Sequence, residues 1–350
     1  MKPLLLFTSL LFLTTTAAFA QTGPASELIK AGVNLYDEGK YTEAIDKYKE
    51  AYLLDSNSIV LFSEMAMTYL ALKDYTNTAS VCQRAIQKFE GNKLLKHIYG
   101  TYGDCLDESQ KPEEALKIYN EGLSKFPDHY LLHFNKGITE LGLKRNYEAR
   151  QSFQNALRLN PRHVSSWYYL GVVEDNFGNR IPAILALSRF LILEPKGTRA
   201  KEILPYLTNK VNNMYYQKKT GKAIATLSSA GPRTDTTANS FNKVEESLSM
   251  LAVMTTLPGI EKEGQSEVAK FEEKEQTIFE LLKACKKNNN GFYWDFVAPY
   301  YIAMEEQKYV KAFANYVNYP LTEDQAVKEW VKNNGPAIDQ FSNWNKNYQW

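Results

Sequence analysis

A chain of 350 residues with 44% hydrophobic, 23% charged and 13% aromatic side chains is not a mostly disordered one. Lys and Arg number 41 against 40 Asp and Glu, a balance that argues against non-specific nucleic-acid binding, and a mean hydropathy of -0.42 excludes a polytopic membrane protein. What remains is a soluble globular protein of one large or two smaller domains.

The chain opens with a short basic start, Met1-Lys2, a nearly continuous apolar run from Leu4 to Leu13, and Ala18-Phe19-Ala20 ahead of Gln21. This pattern is that of a cleaved secretory signal peptide over 1-20, with cleavage after Ala20. An apolar core of about ten residues falls short of the roughly twenty that span a bilayer, so no integral membrane segment is expected after cleavage. No cysteine follows the cleavage site to be acylated, and loss of Lys2 leaves the mature chain with no net charge. The expected location is outside the cytoplasm, periplasmic or secreted. The three cysteines, Cys82, Cys105 and Cys285, are too few for a disulfide framework. Cys82 and Cys105, on successive predicted helices, are the pair that would bridge, and buried free thiols are the other reading.

Internal repetition follows at once. Gly39-Lys40-Tyr41 is echoed by Lys73-Asp74-Tyr75 and Ala51 by Ala85, and the same offset of 34 residues links Gly137 to Gly171, Ala149 to Ala183 and Pro161 to Pro195. Within 25-58, Gly32 is the small residue of a first helix, Gly39 the turn, Tyr41 the start of a second helix, and Ala44, Tyr48 and Ala51 its packing face. Residues 59-92 keep Phe62, Ala66, Tyr69, Tyr75 and Ala85, with Thr78 and Glu90 where alanine and proline are usual. After three extra residues, 96-129 recovers Gly103, Leu106, Ala115, Tyr119, Gly122 and Pro127. Residues 130-163 bring Gly137, Ala149, Phe153, Ala156 and Pro161, and 164-197 bring Trp167, Leu170, Gly171, Gly178, Ala183 and Pro195.

This 34-residue pattern resembles the tetratricopeptide repeat. The resemblance implies an all-α fold, a right-handed α-solenoid of about five helix-turn-helix repeats over 25-197, whose hairpins bury their apolar faces only by stacking on neighbours. Phe190 departs from the small residue of the other repeats and marks a different neighbour at the end of the stack.

Beyond the repeats, 198-218 reads as a helix with a proline at 205, part of a capping segment over 198-227, and 228-240 as a linker rich in Gly, Pro, Ser and Thr. An all-helical C-terminal region over 241-350 then carries helices at 241-256 and 266-287, the latter ended by Asn288-Asn289-Asn290-Gly291. Tyr309, Ala312 and Tyr316 are spaced as Tyr41, Ala44 and Tyr48 are, which suggests a degenerate hairpin at 293-320. Thr322 and Gln325 form a capping box for a helix over 323-333, stopped by Gly335-Pro336.

Catalytic motifs are missing: the sequence has no GxSxG, no phosphate-binding loop, no HExxH and no CxxC pair. His129 and His133 share a helix face but lack a third ligand, and His133 takes the packing position of Phe62 and Trp167. Asp104, Asp107 and Glu108 read as a solvated helix face, and the C-terminal aromatics, among them Trp294, Trp330, Trp344 and Trp350, as core. No enzyme activity, metal or cofactor is expected.

In the family, ligands lie along the inner face made by the first helices. The resemblance therefore implies a groove of Ile29, Val33 and Tyr36, then Ser63, Met67 and Leu70, then His97, Asp104 and Asp107, then Phe134, Ile138 and Leu141, and last Tyr168, Val172, Asp175 and Asn176. Its apolar stretches around an acidic middle suit an extended peptide or a partner helix anchored on Met67, Phe134 and Tyr168. Ile29 and Val33 stand where a carboxylate clamp would need lysine and asparagine. The function expected is a non-enzymatic protein-protein interaction scaffold of the bacterial envelope. The alternative makes the repeats an accessory to a carbohydrate-binding or hydrolytic module at 241-350, built around Asp295 and Glu305.

Overall fold

A computed structural model describes residues 23-213, 216-219, 222-225, 241-255 and 264-350. The signal peptide expected over 1-20 and the linker expected at 228-240 lie outside the described residues. The chain divides into two compact units, one ending at Pro127 and the other running from Asp128 to Trp350.

The N-terminal unit holds three helical hairpins: α1 Pro24–Asp37 with α2 Tyr41–Leu54, α3 Ile59–Ala71 with α4 Tyr75–Lys88, and α5 Leu95–Glu108 with α6 Pro112–Lys125. Pro24 and Pro112 open their helices at a position where no N–H is needed. Ser58 and Asp74 cap α3 and α4 by accepting from the N–H groups of Leu61 and Asn77, at 3.3 and 3.1 Å.

Every hairpin turns the same way. The residue after each first helix takes a left-handed conformation, at Gly39, Lys73, Gln110, Lys144 and Gly178, with φ between 59 and 76°. Its N–H and the next return to the last turn of the helix, as in Gly39 to Tyr36 O at 2.9 Å and Lys40 to Leu35 O at 2.8 Å. Lys308 repeats both features, with φ 59° and Tyr309 N–H to Met304 O at 2.9 Å, so the turn between α14 Ala298–Glu306 and α15 Val310–Asn318 is built as in the repeats, although the two helices pack on α13 rather than on each other. Only glycine takes this conformation freely, and for other residues it costs roughly 1–2 kcal/mol. Lys144→Gly is therefore expected to stabilise the C-terminal unit by about 0.5–1 kcal/mol after the extra chain entropy of glycine is subtracted, measurable in a urea titration.

In the C-terminal unit, α7 Tyr130–Gly142 pairs with α8 Asn146–Leu159, and α9 Val164–Asn176 with α10 Arg180–Leu193. Then come α11 Thr198–Asn212, strands β1 Tyr216–Lys219 and β2 Lys222–Ala225, α12 Asn242–Thr255, α13 Glu267–Cys285, α14, α15, α16 Gln325–Asn333 and α17 Gly335–Asn347. The helix expected over 198-218 ends at Asn212, where two successive asparagines are weak helix formers. The antiparallel pair that follows, in register Tyr216 to Ala225 and Lys219 to Lys222, is a small exception in an otherwise all-α chain. Two further expectations are corrected. Asp324, not Thr322, caps α16 by accepting from Ala326 N–H at 2.8 Å. Gly335-Pro336 does more than stop a helix, because Pro336 sits in the first turn of α17.

The core of this unit centres on α10, buried from Ile181 to Ile192. Arg189, 1% exposed, lies 4.5 Å from the Tyr300 ring and 4.9 Å from that of Trp350. It donates to the Tyr300 hydroxyl at 2.8 Å and to Asn345 Oδ1. Tyr301 donates to the Leu185 carbonyl at 2.5 Å, and Ser188 to Glu275 Oε1 at 3.0 Å. Phe190 meets Tyr168 edge-on at 5.3 Å and sits under the Arg199 guanidinium of α11. The large residue at this repeat position is thus matched to α11 and the C-terminal helices.

Candidate partner-binding groove

A first helix of such a hairpin has one face turned to its own second helix and one left over. Small residues decide how closely the two helices approach. A methyl group on Gly103 would place Cζ and Cδ1 of Tyr119 at 2.5 and 2.7 Å, and one on Gly137 would meet Phe153 Cε1 at 2.7 Å. Tyr119 thereby reaches across α5, and its hydroxyl donates to Asp104 Oδ1 on the expected groove face at 2.6 Å.

In the N-terminal unit, α3 packs against both α1 and α5, which brings the expected residues of three first helices side by side. Val33, Tyr36, Ser63, Met67, Leu70, His97, Asp104 and Asp107 are all half-buried. Ile29 is 6% exposed and belongs to the core. Burial, with Lys96 beside it, holds the His97 imidazole below its usual range. Burial pushes the nearby Glu108 carboxyl up, against a Tyr75 hydroxyl 3.4 Å away that works the other way.

Sequence reasoning passed over Glu64. It is the single charged residue of α3, within IVLFSEMAMTYLA, and that isolation was the available signal. Burial and the neighbouring Asp37 raise its carboxyl to about 7. Sequence reasoning also passed over a cleft of about 230 Å³ lined by Tyr52, Leu53, Phe62, Met65 and Val81 between Lys49 and Arg84. There Arg84 donates to the Tyr52 hydroxyl at 2.6 Å.

The matching face of the C-terminal unit is largely used internally. Phe134 is 8% exposed, held between Phe153 and the His163 ring, 5.9 and 4.6 Å away. Burial, assisted by Arg199, lowers that imidazole to about 4. The guanidinium of Arg199 covers Tyr168 at 5.4 Å, and Asp175 is taken by Tyr206 and Lys210 of α11. Ile138 and Leu141 pack against the core, Val172 is half-buried, and Asn176 is exposed. Phe134 is therefore a core residue and Tyr168 a covered one, not open anchors, because α9 and α11 supply the partners that a ligand was expected to supply.

The remaining candidates resolve simply. Cys82, Cys105 and Cys285 are free thiols, with Cys105 bonded to the Tyr75 carbonyl at 3.3 Å and raised by burial to about 11. His129 and His133 are half-buried, and among the described residues no three His, Cys, Asp or Glu are placed to hold a metal ion. No described helix is long and apolar enough to cross a membrane. Tyr293, Trp294, Tyr300 and Tyr301 are buried core residues. Asp295 accepts from Gly291 N–H at 2.7 Å, and Glu305 lies 3.9 Å from the Lys283 ammonium.

Consecutive helical hairpins with a common turn and glycine-mediated crossings define a helical repeat protein of solenoid type. Residues 140-179 match the tetratricopeptide repeat family. Anaphase-promoting complex subunit 3 of Schizosaccharomyces pombe is 20% identical over 203 residues, 49% of this chain and 30% of that protein. The small glutamine-rich tetratricopeptide repeat-containing protein of Dictyostelium discoideum is 29% identical over 105 residues, 30% of each. The chain thus spans less than a third of either curated relative. Of solved structures, Pseudomonas aeruginosa pilF covers 55% of this chain and 91% of its own at 17% identity, with a TM-score of 0.44. A thermophilic tetratricopeptide-repeat protein of Thermus thermophilus covers 53% and 97% at 16% identity, with a TM-score of 0.43.

Proposed function

We propose that the protein is a non-enzymatic interaction scaffold of the bacterial cell envelope that docks a peptide or helix of a partner protein on the first-helix face of its N-terminal unit. The observation that carries the reading is the contrast between the two units. Val33, Met67 and Leu70 stay half-exposed beside acidic side chains, whereas Phe134, Tyr168 and Asp175 are engaged within their own unit. A tetratricopeptide-repeat fold is consistent with protein-protein interaction. Placement in the envelope rests on the apolar run Leu4 to Leu13 and the small residues before Gln21. In the alternative, a carbohydrate-binding or hydrolytic C-terminal module, Tyr293, Trp294, Tyr300 and Tyr301 are buried in the core, whereas Trp330, Trp344 and Trp350 are half-buried against it.

The test is an affinity capture from envelope extract with the mature chain beside Met67→Glu, with circular dichroism confirming that the variant is folded. A partner retained by the first and reduced at least about tenfold by the second is the expected result, the loss matching a central apolar anchor. The same preparation, taken from the producing cell by osmotic shock, is expected to begin at Gln21 by mass spectrometry. Equal capture by both chains would move the site off this face.

A further inference from the structure

The cleft walled by Tyr52 and Leu53 of α2, Phe62 and Met65 of α3, and Val81 and Arg84 of α4 does not belong to the groove. Met65 lies two residues from Met67, about 200° around α3, so the two methionines face opposite sides of that helix. The walls are mostly apolar. At about 230 Å³ the cleft is smaller than the roughly 300–1,000 Å³ of a small-ligand pocket, and of a size for one bulky side chain.

The repeat register marks the same place. Leu53 corresponds to Gln87, Ser124 and Arg158 in the next three repeats and to Ile192 in the fifth. Gln87, Ser124 and Arg158 are exposed, whereas Ile192 is buried in the core of its own unit. The position is polar where it meets solvent and apolar where other helices cover it. Leu53 breaks that rule, being apolar and 85% exposed, with Leu54 beside it at 60%.

Charge says what covers it. The Arg84 guanidinium donates to the Tyr52 hydroxyl at 2.6 Å and lies 5.5 Å from the centres of both the Tyr52 and the Phe62 rings. It is thus held against the cleft, and among the described residues no carboxylate pairs with it. Lys49 adds a second positive charge, engaged at 3.3 Å by Asp46 in an exposed pair that is worth little. Lys88, one turn beyond Arg84, lies 5.8 Å from the Phe62 ring. A guanidinium already fixed by two rings and a hydrogen bond loses little freedom on binding a carboxylate.

We propose that this cleft is a docking site, separate from the groove, for a short acidic segment of a partner protein. The segment inserts one bulky apolar side chain between Tyr52, Phe62 and Met65 and lays an adjacent Asp or Glu against Arg84, with Lys49 reinforcing the charge. Leu53 and Leu54 cover the apolar residues that flank it. A basic segment is repelled. The site does not depend on the groove reading and can stand or fall without it.

The probe is an array of immobilised dodecapeptides, degenerate except for a central Phe flanked on each side by two fixed residues, acidic, amide or basic, exposed to the labelled full chain. Acidic peptides are expected to retain at least about tenfold more protein than amide ones, and basic peptides the least. Arg84→Gln is expected to reduce that preference to below about threefold. Leu53→Ser, or a central Ser in the peptide, lowers retention of the acidic set by at least about fivefold. Both protein variants change exposed residues and should leave the circular dichroism unaltered, and Met67→Glu should leave retention unaltered. Equal retention of acidic and amide peptides, or a preference that survives Arg84→Gln, overturns the inference. Retention lost with Met67→Glu but kept with Leu53→Ser would put the peptide in the groove, sinking this inference and sparing that one. No retention of any peptide overturns it as well. If calorimetry then shows binding of laurate, the cleft serves a free fatty acid; if the chain forms a dimer that Leu53→Ser dissolves, it serves a second copy.

Discussion

Gly103→Ala is expected to destabilise the N-terminal unit by about 2–3 kcal/mol, although alanine is the better helix former by about 1 kcal/mol. The sign follows from the space available. Gly103 is in the middle of α5, and the added methyl overlaps the ring of Tyr119, which is 1% exposed. Moving the ring also breaks the bond from its hydroxyl to Asp104, so overpacking and a lost hydrogen bond act together. The double variant with Tyr119→Leu separates the causes: with the ring gone, the cost of alanine is expected to fall below about 1 kcal/mol. All five tryptophans lie after Asp128, so far-UV circular dichroism sees the melting of the N-terminal unit while tryptophan fluorescence does not. A Gly103→Ala chain as stable as the parent by that difference would refute the close approach as the reason for glycine there.

This crossing was also the most legible feature of the sequence. A period of 34 residues with Gly32, Gly103, Gly137 and Gly171 at one place fixes where two helices touch, and the five repeat hairpins stand where that spacing puts them. Residue type alone was a poorer guide at the turns, where Lys73, Gln110 and Lys144 do the work of glycine. There the hydrogen bonds closing the helix outweigh the local preference. The groove was legible only where nothing else competes for it. Phe134, Tyr168 and Asp175 hold groove positions by register, but the His163 ring covers Phe134, and Arg199, Tyr206 and Lys210 arrive from α11 to occupy Tyr168 and Asp175. No period within the repeats encodes that arrival. Glu64 was missed although it is the single charged residue of α3, since the sequence does not show the burial that raises its carboxyl.

Raising the pH from 5 to 9 is expected to loosen the C-terminal unit, and Glu275→Gln to remove most of that sensitivity. Glu275 lies on α13 with no solvent exposure. Its Oε1 accepts from Ser188 on α10 at 3.0 Å, its Oε2 has no partner among the described residues, and Tyr301 feels its charge. Burial raises the carboxyl to about 8, only partly offset by the Ser188 hydroxyl. The folded state therefore binds the proton more tightly than the unfolded chain, whose glutamates titrate near 4.3. The contribution is fully present below that value and is lost as pH rises through about 8. Each pH unit across the window carries about 1.4 kcal/mol, so the whole is on the order of a few kcal/mol. Glu140 and Glu272 are raised by burial too, which is why the difference between parent and variant, not the parent's slope, is the measurement. Glutamine keeps an acceptor for Ser188 without the charge. Unfolding followed by tryptophan fluorescence should find the two chains nearly equal at pH 5, with the variant progressively more stable towards pH 9. Parallel curves would mean that the charge on Glu275 is compensated. If the curves diverge as expected, the contact that fastens α13 over α10 is a neutral carboxylic acid, and ionising it weakens the packing that closes the repeat stack within this unit.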